Sequence, residues 1–71
     1  MGYTKIKNMD NPLIIKGKKW HFLNFFLNLR RALDYKNMYS KKYSLKCRIF
    51  TVTVSGNYLK PKIGYLVYNE G

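Results

Sequence analysis

WHFLNFFLNLRRALDY, residues 20–35, carries the pattern on which the rest of the chain is read. Phe22, Phe26, Leu29 and Leu33 fall at i, i+4, i+7 and i+11, the spacing of a single helix face. Trp20, Leu23 and Leu27 widen that stripe. Asn24, Asn28, Arg31 and Tyr35 repeat at similar intervals on another face, leaving one narrow polar strip. The spacing predicts a helix over 20–35 that is covered on several sides. Arg30 and Arg31 then lie toward its C-terminal end, where cations complement the macrodipole.

Downstream, residues 36–46 read as a basic loop, with Lys36, Lys41, Lys42 and Lys46 interleaved with Tyr39 and Tyr43 and led by Tyr35. In residues 47–54, Cys47, Ile49, Thr51 and Thr53 alternate with Arg48, Phe50, Val52 and Val54. That period of two, rich in β-branched residues, predicts a strand. Ser55-Gly56-Asn57 reads as a turn. A second helix is expected from about residue 60. Pro61 suits a first helical turn, Ile63, Leu66 and Val67 supply an apolar face, and Gly71 follows as a stop. Upstream, residues 1–19 form a basic arm ending in Lys16, Lys18 and Lys19, in which Leu13 to Ile15 dock as a short extended piece. The expected fold is α+β, with a helix-strand-helix domain over 20–71 behind a basic arm over 1–19.

Seventy-one residues allow one small domain with a modest core. Fourteen Lys and Arg against Asp10, Asp34 and Glu70 give a net charge of +11. Such self-repulsion calls for a polyanionic partner, nucleic acid or an acidic membrane. Three acids leave almost no material for paired-carboxylate catalysis. One cysteine, Cys47, makes no internal disulfide, and one histidine, His21, makes no zinc cluster. The five glycines are scattered, so no phosphate-cradling loop is expected. The chain reads as no enzyme, with no cofactor. No apolar run approaches the ~20 residues of a membrane span. Phe, Tyr, Met, Ile, Asn and Lys make up 37 of 71 residues, a bias toward AT-rich codons that points to an AT-rich genome, such as an organelle's. The leading segment has neither Arg nor Ser, against a transit peptide and in keeping with synthesis in the compartment of use.

The stretch from Thr51, TVTVSGNYLKPKIGYLVYNEG, resembles the strand-to-helix segment of the universal small-subunit ribosomal protein eight family. There a T-V-x-[VI]-P strand end precedes S-K-L-K and an apolar helix closing on E-E-G. Thr51, Val52, Val54, Leu59, Lys60, Ile63, Leu66, Glu70 and Gly71 fall on that pattern. Phe26, Leu29, Arg30 and Ala32 match L-x-x-[IL]-R-N-A of the family's first helix. The matches cover residues 24–32 and 51–71. Ser55 replaces the common Pro, and the loop before the strand is about a dozen residues longer than usual. The family's C-terminal domain, with its Ser-Thr-Ser-x-Gly RNA-reading motif, is absent from this sequence.

The resemblance implies a structural protein of an organellar small ribosomal subunit, mitochondrial or alternatively plastid. It would bind the central domain of the ribosomal RNA beside neighbouring ribosomal proteins. The residues expected to contact RNA are Lys16, Lys18, Lys19, Lys36, Lys41, Lys42, Lys46 and Arg48, with Arg30, Asn57 and Lys60 added by family analogy. Lysines bridge phosphates while tyrosines pack on sugars or bases. The competing reading is a small accessory subunit of an organellar membrane complex, its 20–33 helix lying in the interface without stable insertion. In the core, Phe26, Leu29, Val52, Val54, Ile63 and Leu66 are expected to meet in one cluster. A lone strand leaves both edges unpaired, so residues 47–54 are expected to pair with another chain carrying the family's missing half.

Overall fold

The computed structural model describes residues 3–54 and 62–70. Five strands and one helix follow in the order β1 (Thr4–Lys5), β2 (Leu13–Ile15), β3 (Lys18–Phe26), α1 (Leu29–Tyr43), β4 (Cys47–Val54) and β5 (Lys62–Glu70). The strands form one mixed sheet in the order β1-β4-β5-β3-β2. Only β1 and β4 run parallel; the other neighbours are antiparallel. The α+β class expected from the sequence is the class observed.

Strand β4 occupies the residues expected of it, and its alternation sorts the core. Ile49 and Cys47 face α1, while Phe50, Val52 and Val54 face the opposite side of the sheet. Strand β5 pairs with β4 along its whole length, from Cys47 opposite Asn69 to Val54 opposite Lys62. It is central and covered on both faces: Leu66 and Tyr68 pack on one side, Val67 on the other, all three fully buried. A strand buried on both faces carries apolar residues in succession rather than in alternation. For that reason Ile63, Leu66 and Val67 read as a helical stripe, and the second helix expected from residue 60 is a strand over its described part. The expected turn at Ser55-Gly56-Asn57, together with Pro61 and Gly71, lies outside the described residues.

The same cause displaces the first helix. Residues 18–26 are a strand, and the helix begins nine residues after Trp20, at Leu29. Trp20 and Phe22 face the side opposite the helix, as does Phe25, whereas Leu23 and Phe26 face α1. The register shifts between Phe22 and Asn24, where β3 holds one residue more than β5. That bulge breaks the period of two and spaces the large side chains irregularly, which imitates a helical repeat. The expected interfacial helix over 20–33 therefore does not form, since its first part is the strand β3. Among the described residues no helix is long and apolar enough to cross a membrane.

Asn28 starts α1. Its backbone is extended, at φ −116° and ψ 122°, and its Oδ1 accepts from the amides of Arg30 (2.8 Å) and Arg31 (3.2 Å). Arg30 and Arg31 consequently sit in the first turn, where the macrodipole opposes cations, and not near the C-terminus as expected. The helix ends at Ser44, in left-handed geometry at φ 53°. Residues 36–43, expected as loop, are its second half.

The arm is also part of the sheet. Leu13–Ile15 pair with Lys18–Trp20 across a two-residue loop, Lys16-Gly17, with positive φ at both positions. Thr4 and Lys5 pair with Phe50 and Thr51, and the Ile6 amide donates to the Thr51 carbonyl at 2.8 Å. Strand β4 thus has β5 along one side and, at Phe50 and Thr51, β1 on the other, both from within the chain. The single expected core is two. Phe26 packs with Ala32, Ile49 and Val67 under α1; Val52, Val54 and Leu66 pack with Ile6, Leu13, Trp20, Phe50 and Tyr68 on the other side; Leu29 is half-buried outside both clusters, and Ile63 is exposed.

Candidate nucleic-acid interface

Sheet register gathers most of the expected lysines at one end of the molecule. Lys18 and Lys19 open β3 beside the close of β5, where Lys18 Nζ lies 3.3 Å from Glu70 Oε2. The Glu70 amide donates to the Lys46 carbonyl at 2.9 Å, so Lys46 stands at the same end. Lys16 is in the adjoining β2–β3 loop. Lys41 and Lys42 form the last turn of α1, which returns the chain to this end before β4 begins. The six lysines are all exposed, and Glu70 is paired with one of them. Of these, Lys41 and Lys42 in the last turn also complement the helix dipole.

The other expected contacts divide. Lys36 is half-buried in mid-helix and lines a shallow recess with Tyr3, Thr4, Cys47, Arg48 and Ile49. Burial pushes the Cys47 thiol up, with the Lys36 charge opposing. Arg48 lies over the rings of Phe50 (5.2 Å) and Trp20 (5.9 Å), and its guanidinium donates to Thr4 Oγ1 at 2.8 Å. Its contacts are internal: it ties β1 to β4 and covers the core edge. Arg30, in the first turn of α1, is at the far end of the helix from Lys41 and Lys42. Asn57 and Lys60 lie outside the described residues.

The tyrosines expected in a loop form a ladder on a helix. Tyr35, Tyr39 and Tyr43 are spaced at i, i+4 and i+8, and so share one flank of α1. Ring centroids are 5.4 Å apart from Phe26 to Tyr35, 5.8 Å from Tyr35 to Tyr39 and 4.6 Å from Tyr39 to Tyr43. Lys42 Nζ sits 5.3 Å from the centroid of Tyr43. At the start of the ladder Phe26, Arg31, Asp34, Tyr35 and Met38 line an open cleft of about 470 Å³. Arg31, Asp34 and Met38 were not expected as site residues, because residues 30–38 were divided between a helix end and a loop. The four-residue spacing of Tyr35, Tyr39 and Tyr43 was the available signal that one helix carries them.

Chemically, clustered lysines of this kind suit closely spaced phosphates, and exposed aromatic faces suit unpaired bases. Among the described residues no group of three His, Cys, Asp or Glu side chains converges as a metal site would require. Comparison of the chain with family models, with curated proteins and with solved structures finds no match in any of the three.

Proposed function

We propose that this protein binds RNA without catalysis, through the lysine end formed by Lys16, Lys18, Lys19, Lys41, Lys42 and Lys46 and through the tyrosine ladder beside it. The observation that carries the reading is the meeting of these lysines from three separate segments at one end of a chain with a net charge of +11. The ladder adds stacking surface along the helix leading to that end. Together they supply the two elements of single-strand recognition, a cationic track and aromatic faces.

A finer assignment makes the protein a structural component of an organellar small ribosomal subunit, mitochondrial or alternatively plastid. Its neighbours would be other ribosomal proteins and a separate chain carrying the family's C-terminal half. The support for this is the residue match at 24–32 and 51–71. Among the described residues those segments are the end of β3, the start of α1, the end of β4 and the whole of β5, so the match lies in the sequence and not in the order of elements.

Binding of a fluorescent single-stranded RNA across a salt series tests the proposal. Contact with about six phosphates gives a log-log slope near −4, at about −0.7 per phosphate. Replacing Lys41, Lys42 and Lys46 with Ala should remove about two from that slope with the circular dichroism unchanged. A flat salt response, or an unaltered slope in the triple variant, would refute it. For the finer assignment, the tagged protein should sediment with small ribosomal subunits in organellar extracts; sedimentation only with free RNA would reject it.

A further inference from the structure

Asp34 is an exposed carboxylate set among aromatic rings. The chain has three acids, and Glu70 is paired with Lys18. Asp10 is in the arm, where its carbonyl accepts from Tyr68 Oη at 2.7 Å. Asp34 lines the cleft of about 470 Å³ with Phe26, Tyr35, Met38 and Arg31. The cleft is open to solvent, and its lining is mixed: the Phe26 and Tyr35 rings, whose centroids are 5.4 Å apart, the Met38 thioether, one cation and one anion.

For an RNA-binding surface a carboxylate is a liability toward phosphate, so its use must lie with a base. An ionised carboxylate accepts only, and its two oxygens suit two adjacent donors. Among the Watson–Crick edges, guanine alone presents adjacent donors, N1–H and the N2 amine. Adenine and cytosine offer one amine next to an acceptor, and uracil one N–H between two acceptors. Arg31, which lines the same cleft, supplies a cation for the flanking phosphate.

We propose that this cleft takes a single unpaired guanine, its ring against Tyr35 and Phe26 with Met38 covering it, its N1–H and N2 amine donating to the Asp34 carboxylate, and its phosphate on Arg31. The inference rests on the RNA-binding reading above and gives it a base preference. Since Tyr35 also begins the ladder, the held base sits at one end of a track that runs toward Lys41 and Lys42.

The test uses the full chain and short, otherwise uridine-only RNAs carrying one central guanosine, inosine or adenosine, read by fluorescence anisotropy at fixed salt. Guanosine should bind roughly tenfold tighter than adenosine. Inosine, which keeps N1–H and lacks the amine, should fall between them. Asp34→Asn changes the acceptor pair into one acceptor and one donor, which matches adenine. That variant should reverse the preference toward adenosine while leaving the salt slope as it was. Equal binding of the three RNAs, or a guanosine preference that survives in Asp34→Asn, overturns the guanine site while leaving RNA binding in place. Absence of salt-dependent binding to any of them overturns both.

Discussion

Gly64 stands opposite Val52, where β5 passes against the Phe25 ring. A Cβ there would collide with that ring, with Phe25 Cζ at 2.8 Å, and would press Val54 Cγ2 at 3.1 Å. Gly64→Ala must therefore displace a packed aromatic from the larger cluster, a cost of about 1–3 kcal/mol. Thermal denaturation should show it as a drop of several degrees in Tm, at about 4–8 °C per kcal/mol for a domain of this size. An unchanged Tm would mean that Phe25 does not pack there. Four residues on, Tyr68 is fully buried while its hydroxyl donates to the Asp10 carbonyl at 2.7 Å. Burial raises its pKa above 10.0, with the Asp10 charge adding to the shift. The unfolded phenol ionises first, so the stability linked to Tyr68 is fully present below pH 10 and is lost as pH climbs through the raised value. In Tyr68→Phe the alkaline fall in stability should be shallower than in the wild type, as read by urea denaturation at about pH 8 and above about pH 10. Equal pH dependence would place Tyr68 in contact with water.

Among the secondary elements, two left-handed residues punctuate the chain without glycine. Lys16 has φ 50° in the β2–β3 loop, followed by Gly17 at φ 82°. Positive φ at both positions is the hairpin turn that favours Asn-Gly. Lys16→Asn should stabilise the hairpin by up to about 1 kcal/mol, raising Tm, and at the same time remove one cation from the lysine end. A lower Tm would show that the loop takes a different turn. The other such residue, Ser44, closes α1 and directs the chain into β4, with Ser40 Oγ donating to the Leu45 carbonyl at 2.8 Å. At the opposite end Asn28 supplies the N-cap, and Asn28→Ala should cost about 1 kcal/mol, read as a lower Tm. No acid stands in the first turn to share that task, and Arg30 and Arg31 oppose it. The cap is thus the principal local device holding the helix start, and with it the cleft formed by Arg31, Asp34 and Tyr35.

Taken as one body, the chain is governed by its charge. The sequence holds fourteen cations and three acids, the molecule has extents of 40 × 26 × 22 Å, and one ion pair is present among the described residues. Raising NaCl from about 0.01 to 0.15 M shortens the screening length from about 30 to 8 Å, from the size of the molecule to well below it. Self-repulsion should fall accordingly, and Tm should rise over that interval. A short single-stranded RNA at low salt should raise it further, because it binds the folded arrangement of lysines in preference to the extended chain. A Tm independent of salt would mean that the cations are too dispersed to act together. The sheet lowers the need for outside support: β1 and β2 come from the arm, Ile6 and Leu13 join the larger cluster, and Tyr68 pins Asp10.

Local alternation and composition were enough to establish the α+β class, the strand at 47–54 with its two faces sorted, the docking of Leu13 to Ile15 and the excess of lysine. None of these needs knowledge of neighbours distant in the chain. Long-range packing, by contrast, makes strands of residues 18–26 and 62–70. Both are covered on two faces, so their apolar residues lose the period of two, and the bulge at Phe22/Asn24 gives the first a helical rhythm. Long-range packing also builds the site. Lys16, Lys18 and Lys19 are more than twenty residues from Lys41, Lys42 and Lys46 along the chain. What joins them is the pairing of β5 between β3 and β4, a tertiary contact with no local signature in either segment.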